Sequence, residues 1–495
     1  MKKIKDFAGI LGEWWILEDP SIRYAGVIEF TDKKYFLSIS SFEESQPINP
    51  NEFKKFKNEK LYTWCGIING KAISLLNAFE IGGNYHNNYS LGHSWQYRFQ
   101  PLLIAIGNTH IDETTEFDGI NFTTNHLLKL IRTPPTITFR AEADIESIEL
   151  SSGSTLEVDE FLKSQQATYE LPNLNLLSCD LGPLGGSLSF QYSSKINFDA
   201  CNGTTTEYEP CLLVELDVKQ TSFKCIDLSN QISRLLSLLT LTPNYSFNFS
   251  MFQRDELIET WDFFENKEII PKDKIKLNHL QIGVTVSERP EMLKGLFPAW
   301  FDSMENCLIP RWIFQNTLEC GNNTFDINRF LNVMQALEIL SDLHCQSTKL
   351  PKNEFSELCD RLAEAFIDDV DNNKISSALN ALRANGNRLP LSIRINELAE
   401  KLDKQVLVWL FGDYEKSLRL AVSARNYFTH YGDITNSKKD LFLSNLSLLT
   451  CKLSVLYMLV ELQILGFPLE KNFVPYRNFP EIMRIALNKN IQFSC

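Results

Sequence analysis

Three residues within six positions, Arg425, Asn426 and His430, carry the side chains needed to handle a phosphodiester. The arginine is a permanent cation that can donate two parallel hydrogen bonds to a phosphate. The histidine exchanges protons near neutral pH, and the asparagine precedes it by four residues, one helical turn. This combination predicts a site that binds phosphate and moves protons, and we expect no cofactor and no bound metal ion.

The residues around this site have the periodicity of an amphipathic helix, predicted over residues 414–431. At 100° per residue, Arg425 falls within the apolar arc, where an unpaired guanidinium is costly. It should therefore meet a carboxylate or a phosphate, or reach an interface. A structural alternative for Arg425 is a salt bridge to Glu338 or Glu397, and for His430 a solvated position at the helix end. Gly432 is predicted to end the helix. The apolar arc comprises Leu418, Leu420, Ala421, Val422, Ala424, Tyr427 and Phe428.

Predicted helices dominate the chain after residue 290 and must position these side chains. Apolar residues recur at intervals of three and four over residues 304–318, 327–343, 355–367, 375–382, 393–402, 414–431 and 441–465. Capping residues precede several of them, including Asp413 before the helix of Arg425 and Ser437 before the last. We predict an all-α bundle over residues 291–495.

The first 290 residues have short runs of aromatic and β-branched residues between turn signals. Strands are predicted at residues 26–30, 35–39, 62–68, 71–76, 136–140, 145–150, 188–192 and 212–218. The dipeptide Asn69-Gly70 is typical of a hairpin turn. Residues 125–131 and 227–239 are predicted helices, and residues 82–88 a long loop. The predicted fold class is thus α+β and multidomain, with a mainly β region over residues 1–290 followed by the helical bundle.

The composition is that of an ordinary globular protein, with 44% hydrophobic residues among 495. The eleven cysteines include no C-x-x-C pair, which favours reduced thiols over disulfides or zinc. No cleaved signal peptide is predicted. The apolar stretch over residues 453–466 is too short to span a bilayer and carries Glu461. We expect a cytoplasmic protein with no membrane segment.

Charge is unevenly distributed along the chain. The net charge is −14, which argues against a general nucleic-acid binder. Residues 371–455, however, hold 12 Lys plus Arg against 8 Asp plus Glu, a net of +4 that leaves −18 for the remainder. A mildly basic segment suits a confined phosphate site, although four charges over this length are also within ordinary variation.

The Arg425-Asn426-x-x-x-His430 motif resembles the signature of HEPN ribonucleases, in which Arg is followed by Asn, Asp or His and then, after three residues, by His. Residues 330–340 resemble an early helix of the HEPN subgroup found in ApeA, a single-protein abortive-infection system of bacteria. Residues 12–15 (Gly-Glu-Trp-Trp), 24–26 (Tyr-Ala-Gly), 65–76 and 117–122 are similar to segments of the ApeA N-terminal domain.

This resemblance implies metal-independent cleavage of RNA, with tRNA as one candidate substrate. The 2′-hydroxyl would attack the phosphorus and leave a 2′,3′-cyclic phosphate and a 5′-hydroxyl. His430 would transfer protons, Arg425 would stabilise the phosphate charge, and Asn426 would orient the phosphate or the imidazole. One histidine does not easily serve as both base and acid, and HEPN enzymes dimerise so that two motif helices form one cleft. A homo-oligomer assembled through the bundle is therefore implied.

The same resemblance implies control by infection. Residues 1–290 would sense a phage-derived trigger and gate the site through the segment at residues 290–300, and the −18 remainder could repel RNA. Two other functions stay open. The bundle could be a non-catalytic HEPN-type dimerisation or nucleotide-binding module. The first region could bind carbohydrate on Trp14, Trp15, Trp64 and Trp95, although packing in the core is the simpler role for these tryptophans.

Other motifs predict little chemistry. Residues 369–380 begin like a calcium loop but lack its Gly and its final Glu. The glycine-rich residues 181–186 lack the Lys-Ser/Thr of a phosphate-binding loop and are expected to be a plain loop. His86 and His93 are expected to be exposed loop residues.

Overall fold

The computed structural model describes residues 4–43, 60–88, 92–131, 147–149, 155–157, 175–199, 203–255, 257–266, 290–319, 327–365, 372–430, 435–467, 469 and 491. Strands dominate the described residues up to 266, and helices dominate those from 290 onward. The predicted fold class is confirmed. The predicted strand at residues 136–140 and the residues 369–371, Tyr89 and Gly432 lie outside the described part.

Fifteen strands are described, and they are β1 (Leu11–Ile16), β2 (Asp19–Thr31), β3 (Lys34–Glu43), β4 (Tyr62–Ile68), β5 (Lys71–Asn88), β6 (Gly92–Gln100), β7 (Leu103–Gly107), β8 (Glu116–Thr124), β9 (Ser147–Glu149), β10 (Thr155–Glu157), β11 (Asn175–Asp180), β12 (Ser187–Asp199), β13 (Gly203–Thr221), β14 (Ser246–Arg254) and β15 (Ile258–Glu265). Short 3₁₀ turns lie at Ile4–Phe7 and Gly182–Leu184. The second lies within the loop expected at residues 181–186, where three glycines have positive φ.

Thirteen of these strands form one antiparallel sheet in the order β11-β12-β13-β8-β14-β15-β7-β5-β4-β1-β2-β3-β6. Strand β6 pairs with β3 and also with β5. As a result β5, β4, β1, β2, β3 and β6 close into a six-stranded ring, and the other seven strands continue from β5 as an open sheet. Strands β9 and β10 pair separately.

The ring is built around Trp14, which is fully buried. Three glycines on the neighbouring strand positions make room for its indole. An added Cβ atom would lie 2.4 Å from the Trp14 indole at Gly66 and 2.8 Å from it at Gly26. At Gly12 it would lie 3.0 Å from Nε1 of Trp14. The indole N–H donates to the carbonyl of Gly26 at 3.1 Å. The glycine and tryptophan pattern of the sequence is therefore a packing requirement, since these residues interlock.

The tryptophans of the first region pack in the core. Trp14 and Trp64 have no exposed surface, and Trp15 is 8% exposed, so a carbohydrate platform on these three side chains is wrong. Trp64 contacts the rings of Tyr24 and Phe99. The side chain of Trp95 is outside the described part.

The loop predicted at residues 82–88 is wrong, because β5 continues through them to Asn88. The reason is non-local. Strand β6 supplies a partner from Phe79↔Gln100 to Asn88↔Gly92, with a register shift between Glu80 and Gly82. His86 and His93 therefore belong to paired strands instead of a loop. The hairpin at Asn69-Gly70 is confirmed, with φ of 51° and 71° at its two residues.

The described helices are α1 (Leu127–Ile131), α2 (Ser222–Thr240), α3 (Pro290–Asp302), α4 (Met304–Glu319), α5 (Ile327–His344), α6 (Lys352–Ala365), α7 (Asn372–Asn385), α8 (Leu391–Ala399), α9 (Lys404–Phe411), α10 (Tyr414–His430) and α11 (Asn436–Ile464). All nine predicted helical segments overlap one of them. Helices α3 and α9 were not predicted as separate helices, because α3 contains Pro298 and α9 has only eight residues. Helix α11 begins five residues before its apolar pattern.

The chain divides into two compact units. The first contains most residues up to 290. The second contains the residues from Glu291 onward together with Ile232–Asn244, so the second half of α2 belongs with the helical unit. The domain boundary at residue 290 stays a prediction.

Helix α11 is the central helix of the second unit. It is long and apolar enough to cross a bilayer, but 78% of its most apolar window is buried inside the protein, as is usual for a core helix. Its Glu461 forms a buried ion pair with Arg311 of α4 at 2.8 Å. The Arg311 guanidinium also lies 3.7 Å from the ring centroid of Trp300 and donates to the Trp300 carbonyl. This contact joins α3, α4 and α11.

Candidate active site

Helix α10 places the predicted site at its C-terminal end. The helix starts at a cap, because the Asp413 carboxylate accepts from the backbone N–H of Lys416 at 3.1 Å. The hydrogen bond from the Lys416 side chain, followed by that from its backbone, lowers the pKa of Asp413. The buried face of α10 holds Ser417, Leu418, Ala421, Val422, Ala424 and Phe428. Most of the predicted apolar arc is thus confirmed, with Leu420 and Tyr427 only half-buried.

Phe428 anchors the motif turn to the neighbouring helices. Its ring lies 6.0 Å from that of Phe330 on α5, edge to face, and 6.4 Å from that of Phe442 on α11. Tyr427 also contacts Phe442 at 5.8 Å between centroids. Aromatic pairs of this geometry contribute beyond their buried area, so the turn that carries the motif is held on two sides.

The three motif residues lie at the surface around this anchor. Asn426 and His430 are exposed, one helical turn apart, and the Arg425 side chain is 26% exposed. Arg425 Nη1 donates to Asn426 Oδ1 at 3.2 Å. The structure thus brings Arg425 and Asn426 into direct contact and leaves the imidazole of His430 open to a ligand.

Arg425 also makes an ion pair, with Nη2 2.8 Å from Oε2 of Glu338 on α5. The structural alternative of a salt bridge to Glu338 is therefore confirmed. The other candidate, Glu397, accepts from the backbone N–H of Gln346 at 3.1 Å. Glu338 is 15% exposed, so the ion pair is partly shielded from water and fixes the orientation of the guanidinium.

Behind this pair lies a set of charged residues that the sequence did not predict. The side chain of Arg394 on α8 is 2% exposed and lies 3.4 Å from Glu338 Oε1. It also pairs with Asp342, one turn after Glu338 on α5, and donates to the Leu389 carbonyl at 3.2 Å. Arg388, between α7 and α8, pairs with Asp342 and lies 3.5 Å from Glu338 Oε1.

We call Glu338, Asp342, Arg388, Arg394 and Arg425 the arginine cluster. It contains three guanidinium groups and two carboxylates, which leaves one formal positive charge. The spacing of Glu338 and Asp342 places both on one face of a helix, and this is the pattern in the sequence that could have indicated the cluster. An excess positive charge beside an exposed histidine and amide suits a phosphate group.

The donors of the site suit an anion more than a metal ion. Arginine side chains offer no lone pair, and Glu338 already accepts from Arg425. Among the described residues, no group of three or more His, Cys, Asp or Glu is close enough to hold a metal ion.

Comparisons with known families cover most of the chain. The model for "ApeA N-terminal domain 1" matches residues 9–300, more than half of the sequence. The model for "Apea-like HEPN" matches residues 331–471, which include the arginine cluster, Asn426 and His430. No curated protein and no solved structure matches the chain.

Proposed function

The chain belongs to the ApeA family, with an ApeA N-terminal domain and an Apea-like HEPN domain, and from this premise we propose that it is an anti-phage endoribonuclease. The family suggests a role in abortive infection. We propose that the substrate is RNA, with tRNA as one candidate, that cleavage requires no metal ion, and that a phage-derived component triggers it.

One observation carries the proposal: Arg425, Asn426 and His430 share the exposed end of one helix while Glu338 holds the guanidinium in place. Arginine offers five N–H donors, so one ion pair leaves others for a phosphate. The amide of Asn426 uses its oxygen as acceptor for Arg425, which leaves its N–H donors for the same phosphate.

The chemistry follows from these donors. The phosphate lies against Arg425, which stabilises the negative charge that grows on its oxygens as the 2′-hydroxyl attacks. Asn426 orients the phosphate. His430 accepts the proton of the 2′-hydroxyl or protonates the leaving 5′-oxygen. The products are a 2′,3′-cyclic phosphate and a 5′-hydroxyl, so a substrate without a 2′-hydroxyl is not cut.

A single His430 supplies one proton-transfer group, whereas the reaction needs a base and an acid. We propose that two copies of the chain pair through their HEPN domains and that each supplies one histidine to a shared cleft. Such a contact is isologous, with the same surface on both copies. The exposed position of His430 at the end of α10 leaves it accessible to a second copy.

The test is incubation of the purified full-length protein with total RNA in the presence of EDTA, followed by analysis of the fragment ends. Cleavage should survive the chelator and leave cyclic phosphates. We expect His430→Ala to lower the rate by about 10²–10⁴-fold and Arg425→Ala by about 10²–10³-fold. Asn426→Ala should have a smaller effect.

Arg419→Ala is the matched control, because Arg419 lies on the same helix and pairs with Glu415 at 3.4 Å but is not part of the motif. Full activity of His430→Ala would refute the assignment. Loss of activity in EDTA with active variants would indicate a metal site instead.

A second function is favoured by the Arg425–Glu338 ion pair, because this contact could also have the purely structural role of holding α5 and α10 together. In that case the domain is a non-catalytic dimerisation or nucleotide-binding module. Such a protein would dimerise, and total RNA incubated with the wild type or with His430→Ala would stay intact.

A further inference from the structure

The arginine cluster holds a second exposed guanidinium beside the motif arginine. The Arg388 side chain is 45% exposed, and its Nη2 lies 3.5 Å from Oε1 of Glu338. The other oxygen of the same carboxylate, Oε2, accepts from Arg425 at 2.8 Å. Glu338 therefore contacts the exposed Arg388 and the partly exposed Arg425 through different oxygens, and Arg394 also lies beside Oε1 at 3.4 Å.

Contact with the same carboxylate keeps the two cations close to each other. They are separated by the width of one carboxylate and two short polar contacts. Two guanidinium groups at this spacing can each contact one phosphate of a single strand.

The charges of the cluster favour such contacts. Arg394 is 2% exposed and bonds to Asp342, Glu338 and the Leu389 carbonyl, so it stays inside the protein and neutralises one carboxylate. Glu338 then faces Arg425 and Arg388, and Arg388 also pairs with Asp342. The excess positive charge lies on Arg425 and Arg388, on the side that solvent and ligand can reach.

Arginine is well suited to this role. Its planar group presents five donors in a fixed fork that matches phosphate oxygens. Nη2 of Arg388 makes the contacts to Asp342 and Glu338, which leaves further donors of the same fork for a ligand. Phosphate contacts of this kind set the position of a nucleic acid without reading its bases.

We propose that Arg388, which lies outside the motif, is an RNA-binding residue that contacts the phosphate next to the one held by Arg425. This inference rests on the proposed function, because it assigns RNA to the same site. It sets the path of the strand across the protein, from His430 and Asn426 past Arg425 to Arg388.

The test measures binding apart from cleavage. The full-length protein with His430→Ala is titrated with a short fluorescein-labelled single-stranded oligouridylate at several salt concentrations. Adding Arg388→Gln should weaken binding by about 3–10-fold and reduce the slope of log affinity against log salt by about one. Arg388→Lys should restore most of the slope, because the slope reports charge.

Arg383→Gln is the matched control. The Arg383 side chain is 47% exposed and pairs with Asp360 at 2.7 Å. It is therefore about as exposed as Arg388 and also has an acidic partner, but it does not contact Glu338. This variant should leave affinity and slope unchanged. In protein that retains His430, Arg388→Gln should raise KM and leave kcat within about threefold.

Each possible outcome supports or refutes the role of Arg388. Equal slopes for Arg388→Gln and Arg383→Gln would overturn the proposal while cleavage by the wild type still stood. A fall in kcat with an unchanged slope would overturn it too, since Arg388 would then only position Glu338. Arg388-dependent binding without any cleavage would support Arg388 and refute the ribonuclease. Absence of both binding and cleavage would refute both.

Discussion

Lys452 is a buried lysine whose surroundings disfavour its positive charge. It lies on α11 with 2% of its surface exposed, and its ammonium donates to the carbonyl of Leu410, near the end of α9. Burial lowers the pKa of Lys452 to about 8, against a partial opposing effect of Cys451. An unfolded chain would keep the ordinary lysine value, near 10.4. Folding therefore disfavours the charged form.

The pH dependence follows from this difference. Between about pH 8 and about pH 10.4 the unfolded chain holds the Lys452 proton more tightly than the folded chain does. The free energy of unfolding should therefore rise with pH in this window and fall again as the pH is lowered through it. We predict that Lys452→Met removes this rise and stabilises the protein at pH 7 by about 1–3 kcal/mol. Urea unfolding midpoints at pH 7 and pH 10 measure it.

Lys439→Met is the control for this prediction, since Lys439 is exposed near the start of the same helix. It should change neither the midpoint nor its pH dependence. A Lys452→Met protein that is destabilised equally at both pH values would show that the hydrogen bond to Leu410 outweighs the burial of the charge.

The motif residues could be predicted from the sequence because they lie within six positions of one amphipathic helix. Glu338 could be named as a partner of Arg425, because it occupies a patterned helix and carries the opposite charge. Arg388 and Arg394 could not be assigned, since they reach Asp342 from 46 and 52 residues away. Such pairs depend on how helices pack, which periodicity does not specify.

Among the elements, the strands around Trp14 have the tightest packing requirement. The backbone of Gly66 lies opposite Trp14 in the pairing of β1 with β4, and a Cβ atom there would lie 2.4 Å from the indole. We predict that Gly66→Ala destabilises the protein by about 1–3 kcal/mol, because a packed core resists an added methyl group. The shift in the urea midpoint measures this effect.

Gly82→Ala provides the comparison. Gly82 is exposed on β5, and a Cβ atom there would meet nothing within 4 Å. We expect this variant to stay within about 0.5 kcal/mol of the wild type. If the two variants unfold at the same midpoint, the glycines around Trp14 are not required for packing.

The elements that the sequence predicted are those with strong local signals. The hairpin at Asn69-Gly70 and the helix α10 with its Asp413 cap both belong to this class. The second half of β5 could not be predicted, because its glycines and asparagines favour a loop until β6 pairs with them. Helix α9 was missed because eight residues contain too few turns to show a period.

At the scale of the whole molecule, the proposed mechanism has one motif histidine in each chain, so we predict that catalysis requires two copies. We predict that mixing inactive His430→Ala chains with wild type lowers activity below simple dilution, because a mixed dimer holds only one of two histidines. The measurement is RNA cleavage against the mixing ratio after subunit exchange. A strictly monomeric wild type with undiminished activity would contradict the shared cleft.

The N-terminal domain should act as the sensor of the assembly. A cell that makes this protein must restrain it, and residues 1–290 are far more than a spacer requires. We predict that the full-length chain is harmless until phage infection and then arrests growth. Residues 291–495 alone should be either toxic without phage or unresponsive to it. Growth curves with and without phage measure both.

That fragment lacks Ile232–Asn244, which belong to the second compact unit, so its folding must be checked first by circular dichroism. His430→Ala in the full-length chain is the second control and should abolish protection. A folded, non-toxic fragment that still protects cells as the whole chain does would refute the sensor role.

Glu338 also constrains how this chain can change over generations. Three arginines share its carboxylate, and the side chain of one of them, Arg394, is 2% exposed. Losing the acid would remove the carboxylate that Arg425 contacts and leave Arg388 and Arg394 to share Asp342. A change at position 338 should therefore be tolerated only together with a change at the motif arginine, Arg425, which contacts it most closely.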